Sequence, residues 1–98
     1  MKILFFASTN CKKCKAILKA IKKSGLLSSS ELIYIDAFDD NKQDFCDEHN
    51  VDELPHIKVY LGEKVVYEAI SECNIAILKK YSSDEQKKLF NLSKNKQK

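Results

Sequence analysis

The period of the apolar positions changes along this chain, and each change predicts a structural element. Short apolar runs at residues 2–8 and Glu31–Ala37 predict two buried strands. Between them, from Cys11 to about Ser24, apolar residues recur at helical spacing and lysines fill the opposite face. The Thr9-Asn10 pair supplies candidate N-cap residues for this helix, and Gly25 is a natural residue to end it. A crossover helix of this kind predicts that the two strands are parallel.

The second half of the chain predicts a short helix, a strand, a strand returning through a tight turn, and further helix. These elements are a helix from Asp39 to about Asn50, a strand His56–Leu61, a Gly62-Glu63 turn, a strand Lys64–Ala69, a helix from about Glu72 to Tyr81, and a fresh helical turn begun by Ser82-Ser83-Asp84-Glu85 and ending near Leu92. The order β-α-β-α-β-β-α predicts an α/β fold with a four-stranded mixed sheet and helices on both faces. We expect one domain over residues 1–92 and a polar tail over residues 93–98.

Two cysteines, Cys11 and Cys14, stand where the first predicted strand gives way to the first predicted helix. Unpaired backbone N–H groups and the helix dipole at such a position stabilise a thiolate, the form that attacks disulfides and binds metals. Lys12 and Lys13 add positive charge between the two thiols, and Asn10 precedes the first. This arrangement points to dithiol–disulfide exchange, with metal binding as the main competitor.

The composition of the chain argues against several classes of function. The 98 residues carry a formal charge of +3, and every basic residue is lysine. Without arginine there is no planar fork for phosphate or guanine, which argues against nucleic-acid binding. The four cysteines are unevenly spaced for a secreted disulfide framework, and the apolar N-terminal run is too short for a signal peptide or a membrane span. We therefore expect a soluble, cytoplasmic protein that does not bind membranes.

The element order, the Cys-x-x-Cys after the first strand, and a proline just before the third strand resemble the thioredoxin-like superfamily over about residues 2–81. The resemblance implies that Cys11 is the nucleophilic cysteine and Cys14 the resolving cysteine. It implies that Pro55 is a cis-proline facing the two sulfurs, and that Leu54 offers its backbone to an extended substrate. The implied function is that of a thiol–disulfide oxidoreductase with a redox-active Cys11–Cys14 disulfide and no bound cofactor.

The chain departs from both the thioredoxin and the glutaredoxin patterns, so it resembles an atypical thioredoxin/glutaredoxin-like protein with a CKKC motif. Thioredoxins carry Trp before the first cysteine and Gly-Pro between the two, where this chain has Asn10 and Lys12-Lys13. Glutaredoxins have a Gly-Gly pair where glutathione docks, and Ser71 and Glu72 stand there instead. The charge of Glu72 argues against glutathione, which stays an alternative. The implied partners of a monomer are a disulfide-containing protein substrate and a thioredoxin-reductase-like or glutathione-dependent electron donor.

Three further side chains are weaker candidates for a functional role. His56 follows the candidate cis-proline and could carry protons near the sulfurs, although such a residue is more often half-buried at the start of a strand. Cys73, at the start of the last predicted helix, could be a regulatory thiol. Cys46 and Cys73 both lie on helical patterns, where buried cysteine packs as a small hydrophobe. Because alternate helices cover opposite faces of the sheet, we expect no bond between them.

Two rival interpretations stay open at this point. A metal-binding module could hold zinc, copper(I) or one edge of an iron–sulfur cluster, but a single thiol pair leaves the coordination incomplete, and we expect no resident metal. The order β-α-β-β-α-β of small copper chaperones also conflicts with the predicted helix between the second and third strands. A non-catalytic adaptor could keep the fold for protein contact alone, and the presence of both cysteines argues against it.

Overall fold

A computed structural model describes residues 1–84 of the protein. Its centre is a four-stranded mixed sheet with the strand order β2-β1-β3-β4. β1 pairs in parallel with β2 and antiparallel with β3, which pairs antiparallel with β4. The strands are β1 (Lys2–Ala7), β2 (Glu31–Asp36), β3 (His56–Leu61) and β4 (Lys64–Ile70). The α/β class and the mixed four-stranded sheet predicted from the sequence are confirmed.

Helices cover both faces of this sheet. They are α1 (Lys12–Lys23), α2 (Gln43–Glu48) and α3, which is helical from residue 75 to residue 84. Short 3-10 turns at Leu26–Ser28 and Asp40–Lys42 precede β2 and α2. Within residues 1–84, no helix combines the length and the apolar character needed to cross a bilayer.

The sheet separates two hydrophobic clusters, because neighbouring residues of a strand point to opposite faces. Ile3 and Phe5 of β1 face one way and pack with buried residues of α1 and α3. Leu4 and Phe6 face the other way and pack under α2 with Ile35. β1 is therefore buried on both faces, which explains why its sequence is a continuous apolar run and does not alternate.

The two free cysteines lie on opposite sides of the sheet, as expected. Cys46 is buried in the cluster under α2, whereas the half-buried Cys73 packs against the cluster of α1 and α3. The turn between β3 and β4 also agrees with the sequence. Gly62 has a φ of +63°, the left-handed value that a two-residue hairpin needs at its first central position and that glycine adopts without strain.

The boundaries of the last helix differ from the prediction. α3 begins at residue 75 rather than near Glu72, because Asn74 caps it: the Asn74 side chain accepts a hydrogen bond from the Ile77 N–H at 3.3 Å. The helix also continues through residues 81–84, so the predicted end at Tyr81 is wrong. The predicted turn to Leu92 and the tail 93–98 lie outside the described residues, and the domain boundaries stay predictions.

Two earlier helices also differ in detail. The predicted helix from Asp39 to Asn50 is divided into the 3-10 turn and the shorter α2. The first helix begins at Lys12, and its N-cap is Cys11 rather than Thr9 or Asn10. This last difference matters for the candidate site, because it makes a cysteine sulfur the capping group.

Candidate active site

Cys11 and Cys14 form a disulfide at the junction of β1 and α1, with 5.2 Å between their Cα atoms. Cys11 is the N-cap of α1, and its Sγ accepts a hydrogen bond from the Cys14 N–H at 3.1 Å. The Cys11 N–H donates to the Ser8 carbonyl at 3.1 Å, and the Cys11 carbonyl accepts from the Lys15 N–H at 3.2 Å. The first sulfur is thus held where an otherwise unpaired backbone donor of the helix reaches it.

The two sulfur-bearing residues differ in exposure. Cys14 is buried, with 2% of its surface accessible, and it belongs to the cluster beneath α1. Cys11 is only partly buried and packs against the rim of the same cluster. Of the two, Cys11 is therefore the residue that a disulfide in solution can approach, while Cys14 is shielded behind it.

Positive charge is concentrated beside Cys11. Lys12 and Lys13 are exposed in the first turn of α1, and no acidic residue occupies that turn. The helix dipole has its positive end at the same place. A negative charge developing on Cys11 would meet the helix terminus, the Cys14 N–H and two cationic side chains.

The loop before β3 contains a cis peptide bond between Leu54 and Pro55. Pro55 is buried, and Leu54 packs partly against the cluster that contains Cys14. The Pro55 carbonyl accepts the Ser71 N–H at 2.8 Å, and the Ser71 hydroxyl donates to the Glu53 carboxylate at 3.0 Å. Ser71, which has a φ of +69°, therefore ties this loop to the connection between β4 and α3. The sequence does not indicate this connection, since no local pattern signals a serine in the left-handed region.

The position of His56 does not support its proposed role as a proton carrier for the sulfurs. Its ring is buried on the α2 face of the sheet, 5.8 Å from the Phe6 ring, whereas Cys14 lies on the opposite face. Its Nε2 lies 2.6 Å from Glu68 Oε2, and Lys58 Nζ lies 3.7 Å from the same oxygen. The hydrogen bond with His56 is the main cause of the lowered pKa of Glu68. The sequence carried a signal for this, because His56 is out of phase with the apolar residues of β3.

Cys73 lies in the connection before α3, not on a helix as predicted. It is half-buried beside a surface cavity of about 460 Å³ that Glu72 and Tyr67 also line. Burial raises the pKa of the Cys73 thiol to about 11. The thiol is therefore protonated at neutral pH, which disfavours a regulatory role that depends on a thiolate. Burial also raises the pKa of the Cys46 thiol, and nearby Asp47 adds to the effect.

No group of three or more histidine, cysteine, aspartate or glutamate side chains within residues 1–84 is arranged to hold a metal ion. The Cys11–Cys14 pair by itself offers two ligands, fewer than the four of a tetrahedral site.

Several solved thioredoxins have a backbone similar to that of this chain. Oxidised thioredoxin O1 from Arabidopsis thaliana is 14% identical, with a TM-score of 0.70 over 85% of this chain and 75% of its own. Thioredoxin 1 from Thermosipho africanus TCF52B is 18% identical, with a TM-score of 0.66 over 96% and 99% of the two chains. The oxidised mitochondrial thioredoxin 3 from Saccharomyces cerevisiae is 20% identical, with a TM-score of 0.64 over 85% and 76%.

The protein has a thioredoxin-like fold. The resemblance that its sequence shows to the thioredoxin-like superfamily is thereby confirmed at the level of the fold. No protein-family model and no curated protein matches the chain. One fold supports several functions, so the function of this protein depends on the geometry of its cysteine pair. The roles of Cys11, Cys14, Leu54 and Pro55 that the superfamily resemblance implies stay predictions.

Proposed function

We propose that the protein is a thiol–disulfide oxidoreductase that acts through Cys11 and Cys14. The observation that carries this proposal is the contrast between the two sulfurs of one disulfide. One belongs to a partly exposed residue and caps the positive end of a helix, and the other is buried behind it. A nucleophile needs access and a stabilised thiolate, whereas a resolving thiol needs only to reach its neighbour.

The reaction starts from the reduced protein. The Cys11 thiolate attacks one sulfur of a substrate disulfide, a Cys11–substrate disulfide forms, and the other substrate sulfur leaves as a thiolate that takes a proton from water. Cys14 then loses its proton and attacks the Cys11 sulfur. The Cys11–Cys14 disulfide forms and the second substrate sulfur departs as a thiolate, so two electrons pass from the dithiol to the substrate.

The substrates we propose are protein or low-molecular-weight disulfides. The backbone of Leu54, beside the cis-proline and against the cluster that holds Cys14, is the proposed contact for an extended substrate. The electron donor is proposed to be a thioredoxin-reductase-like protein rather than glutathione, because Glu72 places a carboxylate beside the cavity next to Cys73. A monomeric state and a cytoplasmic location stay predictions.

The test is reduction of insulin disulfides, with electrons supplied either by NADPH and thioredoxin reductase or by NADPH, glutathione reductase and glutathione. With thioredoxin reductase as the donor, we expect the wild type to reduce insulin and Cys11→Ser to be inactive. Cys46→Ser, which removes a buried thiol on the opposite face of the sheet, should be as active as the wild type. Cys14→Ser should accumulate a mixed disulfide with the substrate. Near-stoichiometric metal in the anaerobically purified protein, together with no turnover, would contradict this proposal and support the metal-binding alternative.

A further inference from the structure

The polar face of α1 carries positive charge along its whole length. The helix has six lysines and no acidic residue. With the geometry of an α-helix, five of the lysines fall within about 100° of its circumference. We call these five exposed side chains the lysine stripe: Lys12, Lys15, Lys19, Lys22 and Lys23. Protein surfaces ordinarily mix both signs of charge, and a field of one sign is suited to attracting a molecule of opposite charge.

The lysine stripe is not neutralised by the part of the chain that the structure describes. Within residues 1–84, no carboxylate forms an ion pair with any of its five side chains. The Asp36 carboxylate, at the end of the neighbouring β2, instead accepts a hydrogen bond from the Phe38 N–H at 2.9 Å. Like charges four residues apart, such as Lys15 and Lys19, repel each other on a helix. An acidic surface laid on the stripe would relieve this repulsion.

The negative charge of the protein is concentrated in a different part of the fold. The segment 39–53, which contains α2, has seven acidic residues and one lysine. α2 packs on the face of the sheet opposite to α1. The two helices therefore give the molecule a positive side and a negative side, and this asymmetry would turn α1 towards an approaching acidic surface.

The lysine stripe begins beside the proposed redox site. Cys11 caps α1 and directly precedes Lys12. From Lys12 to Lys23 the stripe extends about 16 Å along the helix axis. A typical protein interface covers about 800 Å² of each partner, which corresponds to a circle with a radius of about 16 Å. A protein that covers the stripe therefore also reaches Cys11.

The chemistry of the lysine stripe favours a protein over a nucleic acid or a lipid surface. Every basic residue of the chain is lysine, which lacks the planar fork that binds phosphate with two hydrogen bonds. The apolar residues Ile17, Leu18 and Ile21 of α1 pack in or against the core. α1 therefore has no free apolar face to insert into a bilayer.

We propose that the lysine stripe is the docking surface for an acidic patch on the disulfide-containing protein that Cys11 attacks. This inference rests on the proposed function and specifies the surface chemistry of the substrate. Because attraction between exposed charges acts mainly on the rate of encounter, the stripe should raise the second-order rate constant of the reaction with an acidic substrate. The effect should depend on the salt concentration.

The test uses two peptides with the same disulfide loop, Cys-Gly-Ser-Gly-Cys, followed by two glycines and a tail of six glutamates or six serines. Six extended residues span about 20 Å, enough to cover the lysine stripe. When the reduced protein reacts, the peptide disulfide becomes two thiols and the Cys11–Cys14 disulfide forms. The second-order rate constant is measured by acid quenching, alkylation and mass spectrometry.

We expect the double variant Lys19→Gln, Lys22→Gln to lower the rate constant for the glutamate peptide about threefold or more at low salt. The rate constant for the serine peptide should not change, because both lysines lie away from Cys11. At 1 M salt the difference should vanish, since the Debye length is then about 3 Å. An unchanged rate constant for the glutamate peptide at low salt would overturn the proposal.

The double variant Lys42→Gln, Lys64→Gln is the matched control. It also removes two exposed lysines, one before α2 and one at the start of β4. Its rate constant for the glutamate peptide should stay close to that of the wild type. An equal loss in both double variants would show an effect of net charge alone and would overturn the proposal.

A binding measurement separates this proposal from the oxidoreductase proposal. If the wild type reduces neither peptide, the oxidoreductase proposal fails. Docking is measured separately, by fluorescence anisotropy of the labelled glutamate peptide with the Cys11→Ser, Cys14→Ser protein. Binding that Lys19→Gln, Lys22→Gln weakens about threefold or more would support the docking surface. Displacement of the peptide by a lower concentration of an oligothymidylate with six phosphates, or of phosphatidylserine vesicles, would overturn it in favour of a nucleic acid or a membrane.

Discussion

Replacing both Lys12 and Lys13 with glutamine tests the electrostatics of the proposed site. The two side chains are exposed in the first turn of α1, and no acidic residue in that turn compensates them. Cations at the positive end of a helix lower the stability of the helix. Lys12 and Lys13 would instead stabilise a Cys11 thiolate, which exists only in the reduced protein. The lysines should therefore favour the dithiol form and raise the reduction potential of the Cys11–Cys14 couple.

The exposure of the two lysines limits the size of this effect. An exposed charge pair contributes about 0.2–1 kcal/mol, so two lysines contribute about 0.4–2 kcal/mol. Because about 1.4 kcal/mol corresponds to about 30 mV for this two-electron couple, the double variant should have a potential lower by about 10–40 mV. The wild type should lie above the value of about −270 mV known for thioredoxin. High salt should shrink the difference, since the Debye length falls to about 3 Å at 1 M.

The assay is equilibration of each protein in glutathione redox buffers, followed by quantification of free thiols after acid quenching. Replacing Lys22 and Lys23 with glutamine makes the same change in charge at the other end of α1. Lys22 lies ten residues beyond Lys12, which is about 15 Å along the helix axis and more than the Debye length of about 8 Å at physiological salt. No change in the first variant, or an equal change in both, would refute the argument from local charge.

Three other outcomes follow from the described contacts. Cys73, whose pKa is raised to about 11 by burial, should react with iodoacetamide at pH 8 far more slowly than Cys11 of the reduced protein, as mass spectrometry of the alkylated peptides can show. The pKa of Glu68 is lowered from about 4.5, chiefly by its hydrogen bond with His56. The ionised carboxylate therefore stabilises the folded state above the pKa that Glu68 has in the unfolded chain. This contribution is lost as the pH falls through the lower pKa of the folded state. Glu68→Gln should therefore weaken the fall in urea stability between pH 6 and pH 3, and an unchanged acid dependence would contradict this. Leu78 is fully buried, so replacing it with alanine should lower the free energy of unfolding by about 2–5 kcal/mol. A loss below about 1 kcal/mol in urea titration would show that the cluster of α1 and α3 is less closely packed than described.

The sequence and the structure differ where a distant contact or a competing cap decides the outcome. The apolar spacing that begins at Cys73 predicts an earlier start for α3 than the structure shows, because Asn74 caps the helix. His56 adjoins Pro55 in the chain, which predicts a place near the sulfurs that the structure does not give it. Adjacent residues of a strand point to opposite faces, and the Glu68 partner of His56 is twelve residues away.

The sequence by itself determined the order of strands and helices, the parallel first pair, the tight turn at Gly62, and the placement of Cys11 at the start of a helix. These features depend on periodicity and on single residues with strong local preferences, which act over a few neighbouring positions. Tertiary structure decided that Cys14 is buried while Cys11 is accessible, that Ser71 hydrogen-bonds the loop containing Pro55, and that no strand of residues 1–84 pairs with the outer edge of β2. Each of these depends on which distant segments pack together, and that choice is made by the whole core rather than by any local pattern.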